Sequence, residues 1–236
     1  MTPIVRRAST DTLVTIIAID PSTDVTGLAV VSFNTSGCPS LQLLSGIRAS
    51  ARRSVSVSDS DTERFARIAE TRRVLSGLIA SLPCAVDLVA WEVPPPPLVV
   101  RGAAVGLKAY AAIQQAIGAY LSVTPIRGIP ALPVHVPSCK AVYGNLGLSR
   151  AANADKASKE AKRALLKANA IRWANETFAL ELTASDDGQA DALSVACAAF
   201  KIWYAAEAVA RTKAANPPLF GPGSRPRKPK TAEVTT

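Results

Sequence analysis

The chain is expected to fold as an α/β domain with a mixed five-stranded sheet, a three-stranded antiparallel meander followed by parallel strands, flanked by helices. Three observations predict it. Two short β-branched apolar runs, LVTIIAID at residues 13–20 and VDLVAWE at 86–92, each stop on a carboxylate. Runs of this kind read as strands buried on both faces. Between them lies a segment of helical periodicity, the crossover that parallel strands require. A length of 236 residues with 48% hydrophobic side chains supports one substantial core.

The formal net charge of +9 points to a polyanionic partner, of which nucleic acid is the commonest. Cys38, Cys84, Cys139 and Cys197 form no CxxC pair, and His135 is the sole histidine, which argues against a zinc cluster or a disulfide framework. The cysteines are expected to be reduced, mostly buried thiols, and His135, within PVHVP, to be structural. Arg6 and Arg7 ahead of an apolar run mimic a signal peptide, but Asp11 interrupts it and Asp20-Pro21 ends it before any Ala-x-Ala site. No uninterrupted apolar stretch reaches the ~20 residues of a membrane span. The expectation is a soluble cytoplasmic protein with no membrane partner and no small-molecule cofactor.

Residues 1–12 are polar and expected to be disordered. The strand 13–20 leads through Pro21-Ser22-Thr23 to GLAVVSF at 27–33 and, after a Ser/Gly/Pro turn, to 41–48; the short spacing makes these three the meander. Residues 49–59 read as a loop or ragged strand extension. Ser60-Asp61-Thr62-Glu63 fits a capping box, and Phe65, Ile68, Ala69, Leu75, Leu78 and Ile79 recur at helical spacing through Ser81. The strand ending at Glu92 can then run parallel to the one ending at Asp20, with both acids at the edge where α/β sheets place their sites.

Pro94–Pro97 form a stiff, extended exit. Residues 99–121 are expected as one long helix, 132–136 as a last strand, and 138–143 as a short helix or turn. A loop at 144–154 leads into a helix over 155–177. From Arg150 to Arg172 seven basic residues stand against two acids, which favours a phosphate-facing surface; Arg150, Lys156, Lys159, Lys162 and Arg163 are its leading members. The last helix is expected over 186–210 with Ser185 as N-cap. Residues 211–236, with six basic residues against one acid and many Pro and Gly, read as a disordered basic tail that adds salt-sensitive affinity for nucleic acid. The folded domain itself is expected to span 13–210.

Asp187 and Asp191 are four apart and share a helical face, which can abut the strand ends carrying Asp20 and Glu92. Four carboxylates at one edge repel one another unless divalent cations neutralise them, which predicts magnesium, with manganese as an alternative. Two such ions roughly 3.5 to 4 Å apart are the clamp used for in-line displacement at phosphodiesters, with water as nucleophile.

With these features assembled, the chain resembles the RuvC-like Holliday junction resolvases of the ribonuclease H-like superfamily. The resemblance is carried by IIAIDPSTDVTGLAVV at 16–31, LVAWEVP at 88–94, VPSCKAVYGN at 136–145, ADKASKEAKRALL at 154–166 and QADALSVACAA at 189–199, in that order. It implies a ribonuclease H-like fold and a metal-dependent endonuclease that works as a homodimer on branched DNA, nicking four-way junctions symmetrically, in a bacterial cell or phage-infected host. By the same resemblance, Asp20, Glu92 and Asp191 match the metal-binding acids, and Lys140 and Lys156, with Lys159 as an alternative, match the basic residues near the scissile phosphate.

Three positions depart from the family pattern. Gly188 stands where an acid or histidine is usual, leaving Asp187 as the candidate fourth ligand; Ser22 replaces a glycine after Asp20-Pro21; and Pro95 stands where an aromatic usually follows the central acid. Junction opening by stacking then falls to Tyr143 or Trp91, the latter expected in the core, or is absent. Two other readings remain: a non-catalytic nucleic-acid-binding protein on this fold, and a ribonuclease H acting on RNA–DNA hybrids. An actin-like ATPase or sugar kinase, which shares the strand-Asp-turn opening, needs a second copy of the pattern that this chain lacks.

Overall fold

The computed structural model describes residues 4–5, 11–22, 25–48, 61–100, 103–105, 107–144 and 156–215. The meander forms as expected: β2 (Thr12–Asp20), β3 (Val25–Asn34) and β4 (Pro39–Arg48) pair antiparallel in sequence. β5 (Leu88–Val93) joins β2 in parallel and β8 (Ala131–His135) joins β5 in parallel. A two-residue strand β1 (Ile4–Val5) pairs with β4, inside the segment expected to be disordered, and extends the five-stranded sheet to the order β1-β4-β3-β2-β5-β8.

The alternation of side chains along each strand divides the core into two layers. Ile17, Ile19, Leu28, Val30, Leu43, Ile47 and Val89 face α1 (Asp61–Ala80) and α2 (Leu107–Leu121), meeting Leu75, Ile79, Ala116 and Tyr120. Trp91 packs against this cluster, as expected of a core residue. On the opposite face Phe33 stacks on Phe200 of α5 (Asp187–Ala215), ring centroids 4.2 Å apart.

The long helix expected from residue 99 begins eight positions later. Leu98–Val100 (β6) and Ala103–Val105 (β7) instead form a small antiparallel hairpin. β-branched Val99, Val100 and Val105 favour strand over helix.

α3 (Val136–Val142) and α4 (Lys156–Phe178) follow, close to the expected bounds. Residues 49–60 and 145–155, with Arg150 among them, lie outside the described residues. α4 is followed by Ala179, whose φ of 51° takes the left-handed conformation common just past a helix C-terminus. Asn175 then clamps the chain: its Nδ2 donates to the Leu182 carbonyl at 3.0 Å and its Oδ1 accepts from the Leu182 N–H at 2.8 Å.

The cap of the last helix differs from expectation. Thr183, not Ser185, caps a 3-10 turn (Ala184–Asp186) that runs into α5, and Asp186 closes a capping box with it. The box wins because Asp186 Oδ2 takes both the Thr183 N–H at 2.9 Å and its hydroxyl at 2.8 Å. α5 also runs five residues into the expected tail, to Ala215; residues 216–236 lie outside the described set. By length and composition one stretch of α5 is apolar enough to cross a membrane, with half of it buried in the fold. Its buried Ala190, Leu193, Val195, Ala196 and Phe200 mark it as a core helix.

The chain divides into two compact units, 1–201 and 202–236. In the second, Ile202, Tyr204 and Val209 are exposed. The four cysteines are free; Cys139 and Cys197 are buried, Cys38 is exposed and Cys84 is intermediate, so burial holds for two of the four. His135 ends β8 and is exposed.

Candidate active site

The parallel register pairs Ile19 with Trp91, so the next residues, Asp20 and Glu92, leave adjacent strand ends side by side, with strands about 5 Å apart. Asp20 also pairs with Gly27, and Gly27 with Gly46, so Glu92, Asp20, Gly27 and Gly46 form one row across the sheet. All four alternate with the residues facing α1 and α2, which puts them under α5.

The two glycines let α5 descend. A Cβ on Gly27 would sit 1.9 Å from the Gly188 carbonyl oxygen, and one on Gly46 would sit 3.1 Å from Gln189 Nε2. With no side chain in that half of the row, the first turn of α5 rests on the sheet backbone next to Asp20. A Cβ at Gly188 would lie 3.6 Å from Asp20 Oδ2. Asp187 and Asp191 come with this turn, one helical turn apart.

The electrostatics record the convergence. Burial, then the charges of Asp191, Glu92 and Asp187, push Asp20 well above the usual carboxylate range, and Lys167 opposes them. Burial and Asp191 raise Glu92 to about 7, against Lys140 and a hydrogen bond from the Cys139 thiol. Burial and Asp187 raise Asp191 to about 6, against Lys167 and Lys140. Four acids and two lysines therefore share one field.

A pocket of about 300 Å³ opens beside them, lined by Glu92 and Asp191, by Lys140, Arg163 and Lys167, and by Pro95, Val136, Cys139, Tyr143 and Leu166. Tyr143 is braced by Trp173, ring centroids 6.2 Å apart, and Trp173 by Phe178 at 6.0 Å, which ties α3 to α4. Burial and the adjacent Asp191 and Glu92 push the Tyr143 phenol up. Burial and Glu92 do the same to the Cys139 thiol, which makes it a poor nucleophile.

Among the described residues no group of three or more His, Cys, Asp or Glu side chains is drawn together closely enough to enclose a metal ion. The donor set nonetheless fits a hard divalent cation: several carboxylate oxygens, crowded and partly desolvated, whose protons are held more tightly through burial and mutual repulsion.

No protein-family model matches the chain, and no curated protein matches it. Two solved structures of Thermus thermophilus RuvC, one of them in complex with a Holliday junction substrate, align with it at a TM-score of 0.50 and 18% identity, covering 82% of this chain and 96% of theirs. The fold is that of RuvC. The yeast mitochondrial Holliday junction resolvase Ydc2 aligns at a TM-score of 0.48 and 12% identity, over 87% of this chain and 85% of its own.

On this RuvC fold the basic residues expected at the site fall into three groups. Lys140 and Arg163 line the pocket. Lys162 is half-buried on α4, while Lys156 and Lys159 lie in its first turn with side chains outside the described set. Among the described side chains of α4, Lys167, three turns beyond Lys156, reaches the acids, where it pairs with Asp187. Helical spacing put Lys167 among the basic residues of α4, but only the clamp at Leu182 and the box at Thr183 fix which turn of α4 faces α5. Cys139 was hidden for a similar reason, since its contact with Glu92 depends on where α3 lies against β5.

Proposed function

We propose that the chain is a metal-dependent, structure-selective DNA endonuclease that resolves four-way junctions by paired nicks, acting as a homodimer. The observation that carries this reading is the meeting of Asp20, Glu92 and Asp191 beside a pocket walled by Lys140, Arg163 and Lys167. Carboxylates alone would repel a DNA strand; the basic wall gives its phosphates a place to sit. Support for branched DNA comes from the RuvC fold, since one of its solved examples holds a Holliday junction substrate.

Asp20, Glu92 and Asp191 would hold magnesium or manganese ions. A divalent cation held there supplies Lewis-acid chemistry, acidifying a water for in-line attack and offsetting charge on the leaving oxygen. The chain's own groups bind and orient: Lys140, Arg163 and Lys167 draw in the backbone phosphates, and the Cys139 thiol steadies the Glu92 carboxylate. Lys162 and the α4 positions of Lys156 and Lys159 would continue the basic track away from the pocket.

The test is cleavage of a synthetic four-way junction with magnesium, set beside duplex, fork and RNA–DNA hybrid, for wild type, Asp20→Asn and Glu92→Gln. Junction cutting by wild type and its loss in both variants is expected; undiminished cutting by the variants would sink the reading. A non-catalytic DNA-binding role is favoured by one observation, the absence of a tightly gathered acid trio among the described residues. It predicts salt-sensitive DNA binding with no heat of divalent-ion binding in calorimetry.

A further inference from the structure

Asp187 is one of four carboxylates that share the field of the site, yet it is engaged differently from the others. Its Oδ2 pairs with Lys167 Nζ, joining α5 to α4. Lys167 lines the pocket beside Asp191, and its charge acts on both Asp20 and Asp191. Its side chain is 60% exposed. A lysine so exposed samples many rotamers unless a partner holds it, because its four-carbon stem is flexible.

The surroundings of that pair are fixed independently of it. Asn175 clamps the exit of α4 to Leu182, and Asp186 boxes the entry of α5 through Thr183, with Gln189 Nε2 donating to Asp186 Oδ1 at 3.2 Å. Residues 167 and 187 therefore face each other by construction. The residue of the first turn that faces Asp20 is Gly188, whose Cβ position lies 3.6 Å from Asp20 Oδ2. The place nearest Asp20 on α5 thus carries no donor side chain, and the neighbouring carboxylate is taken by an ammonium.

We infer that Asp187 is a positioning residue for Lys167 and not a metal ligand: its carboxylate holds the Lys167 ammonium at the acid pocket, where it meets a phosphate of the bound strand. This rests on the nuclease reading above. To coordinate a cation, Asp187 would have to release Lys167, leaving that ammonium without its anchor and placing a second cation close to it. Among the described residues Asp20, Glu92 and Asp191 make no such ion pair, which leaves their carboxylates to serve the ion.

Titration of magnesium or manganese into the DNA-free protein, beside single-turnover cleavage of a four-way junction, tests the assignment. Asp187→Asn is expected to bind the ion within about threefold of wild type while cutting about 10- to 100-fold more slowly, the usual cost of losing an orienting partner. Asp20→Asn should lose ion binding. Lys167→Gln should cut as slowly as Asp187→Asn, and the double variant no more slowly than either, because one interaction is lost in all three. Lys167→Arg, which keeps the pair, should recover most of the rate, and melting curves confirm that each variant is folded. Loss of ion binding in Asp187→Asn comparable to that in Asp20→Asn, or a multiplicative loss in the double variant, overturns the assignment alone. A folded wild type that neither binds the ion nor cuts overturns the nuclease reading and this assignment with it.

Discussion

Gly27 and Gly188 touch backbone to backbone: a Cβ added to Gly27 would lie 1.9 Å from the Gly188 carbonyl oxygen. The pair sets the height of α5 above the sheet, and with it the distance from Asp191 to Asp20. Gly27→Ala is therefore expected to force α5 upward, at a cost of about 1 to 3 kcal/mol for overpacking a filled space. Gly188→Ala meets its neighbours at 3.4 Å or more and lies in a helix, so it should be neutral or stabilising by up to about 1 kcal/mol. Denaturant melts of the two variants check the contrast, and equal destabilisation would contradict it.

The acid cluster makes stability depend on pH in a defined direction. Glu92 is raised from 4.5 to about 7 and Asp191 from 3.8 to about 6. The folded chain thus binds more protons than the unfolded chain between about pH 4 and 7, and stability falls as pH rises through that window. The metal-free melting temperature should accordingly be lower at pH 8 than at pH 5. Magnesium should restore it at pH 8, where the carboxylates are ionised, and do little at pH 5. Glu92→Gln should melt higher than wild type at pH 8 without metal, because it removes a charge that its neighbours oppose. A metal-free melting temperature that is flat from pH 5 to 8 would refute the clustering.

Asp186 looks from its sequence position like a further member of the acid set, but its oxygens are spent on Thr183 and Gln189. Asp186→Ala is expected to cost about 1 to 2 kcal/mol through loss of the cap. The affinity for divalent ions should fall only as far as the first turn of α5 frays. Urea melts with and without magnesium separate the two effects.

The basic wall should reveal itself through salt. Arg163→Ala is expected to lower the steepness of log Kd against log salt concentration for junction DNA by about 1, the signature of one lost phosphate contact. Binding measured in calcium, or in EDTA, keeps the substrate uncut. An unchanged slope would mean that Arg163 faces no phosphate.

Much of this was legible in the chain. Asp20 and Glu92 were found because each ends a short β-branched run and the helix between those runs dictates a parallel pairing, so local pattern alone puts them at one edge. Asp191 followed from its place on a long apolar helix. The hairpin at Leu98–Val105 was misread as helix because a few valines beside alanines carry no distinct period over so short a stretch. The pairing of Lys167 with Asp187 is not legible in the chain, because a basic helix offers a cation on every turn, and the turn that meets α5 is set by Asn175 and Asp186 near the α4–α5 connection. Ser185 was preferred as cap over Thr183 because both are good capping residues, and the 3-10 turn that decides between them has no apolar pattern of its own.

The row of Glu92, Asp20, Gly27 and Gly46 runs from two charged side chains to two that are absent, and its halves fail differently under random substitution. In a saturation library read out separately for folded protein and for junction cutting, the acid half should tolerate many replacements in the first readout and almost none in the second. At Gly27 the two readouts should fall together, since no replacement there leaves α5 in place. That divergence within four neighbouring positions would map where the chain's scaffold ends and its chemistry begins.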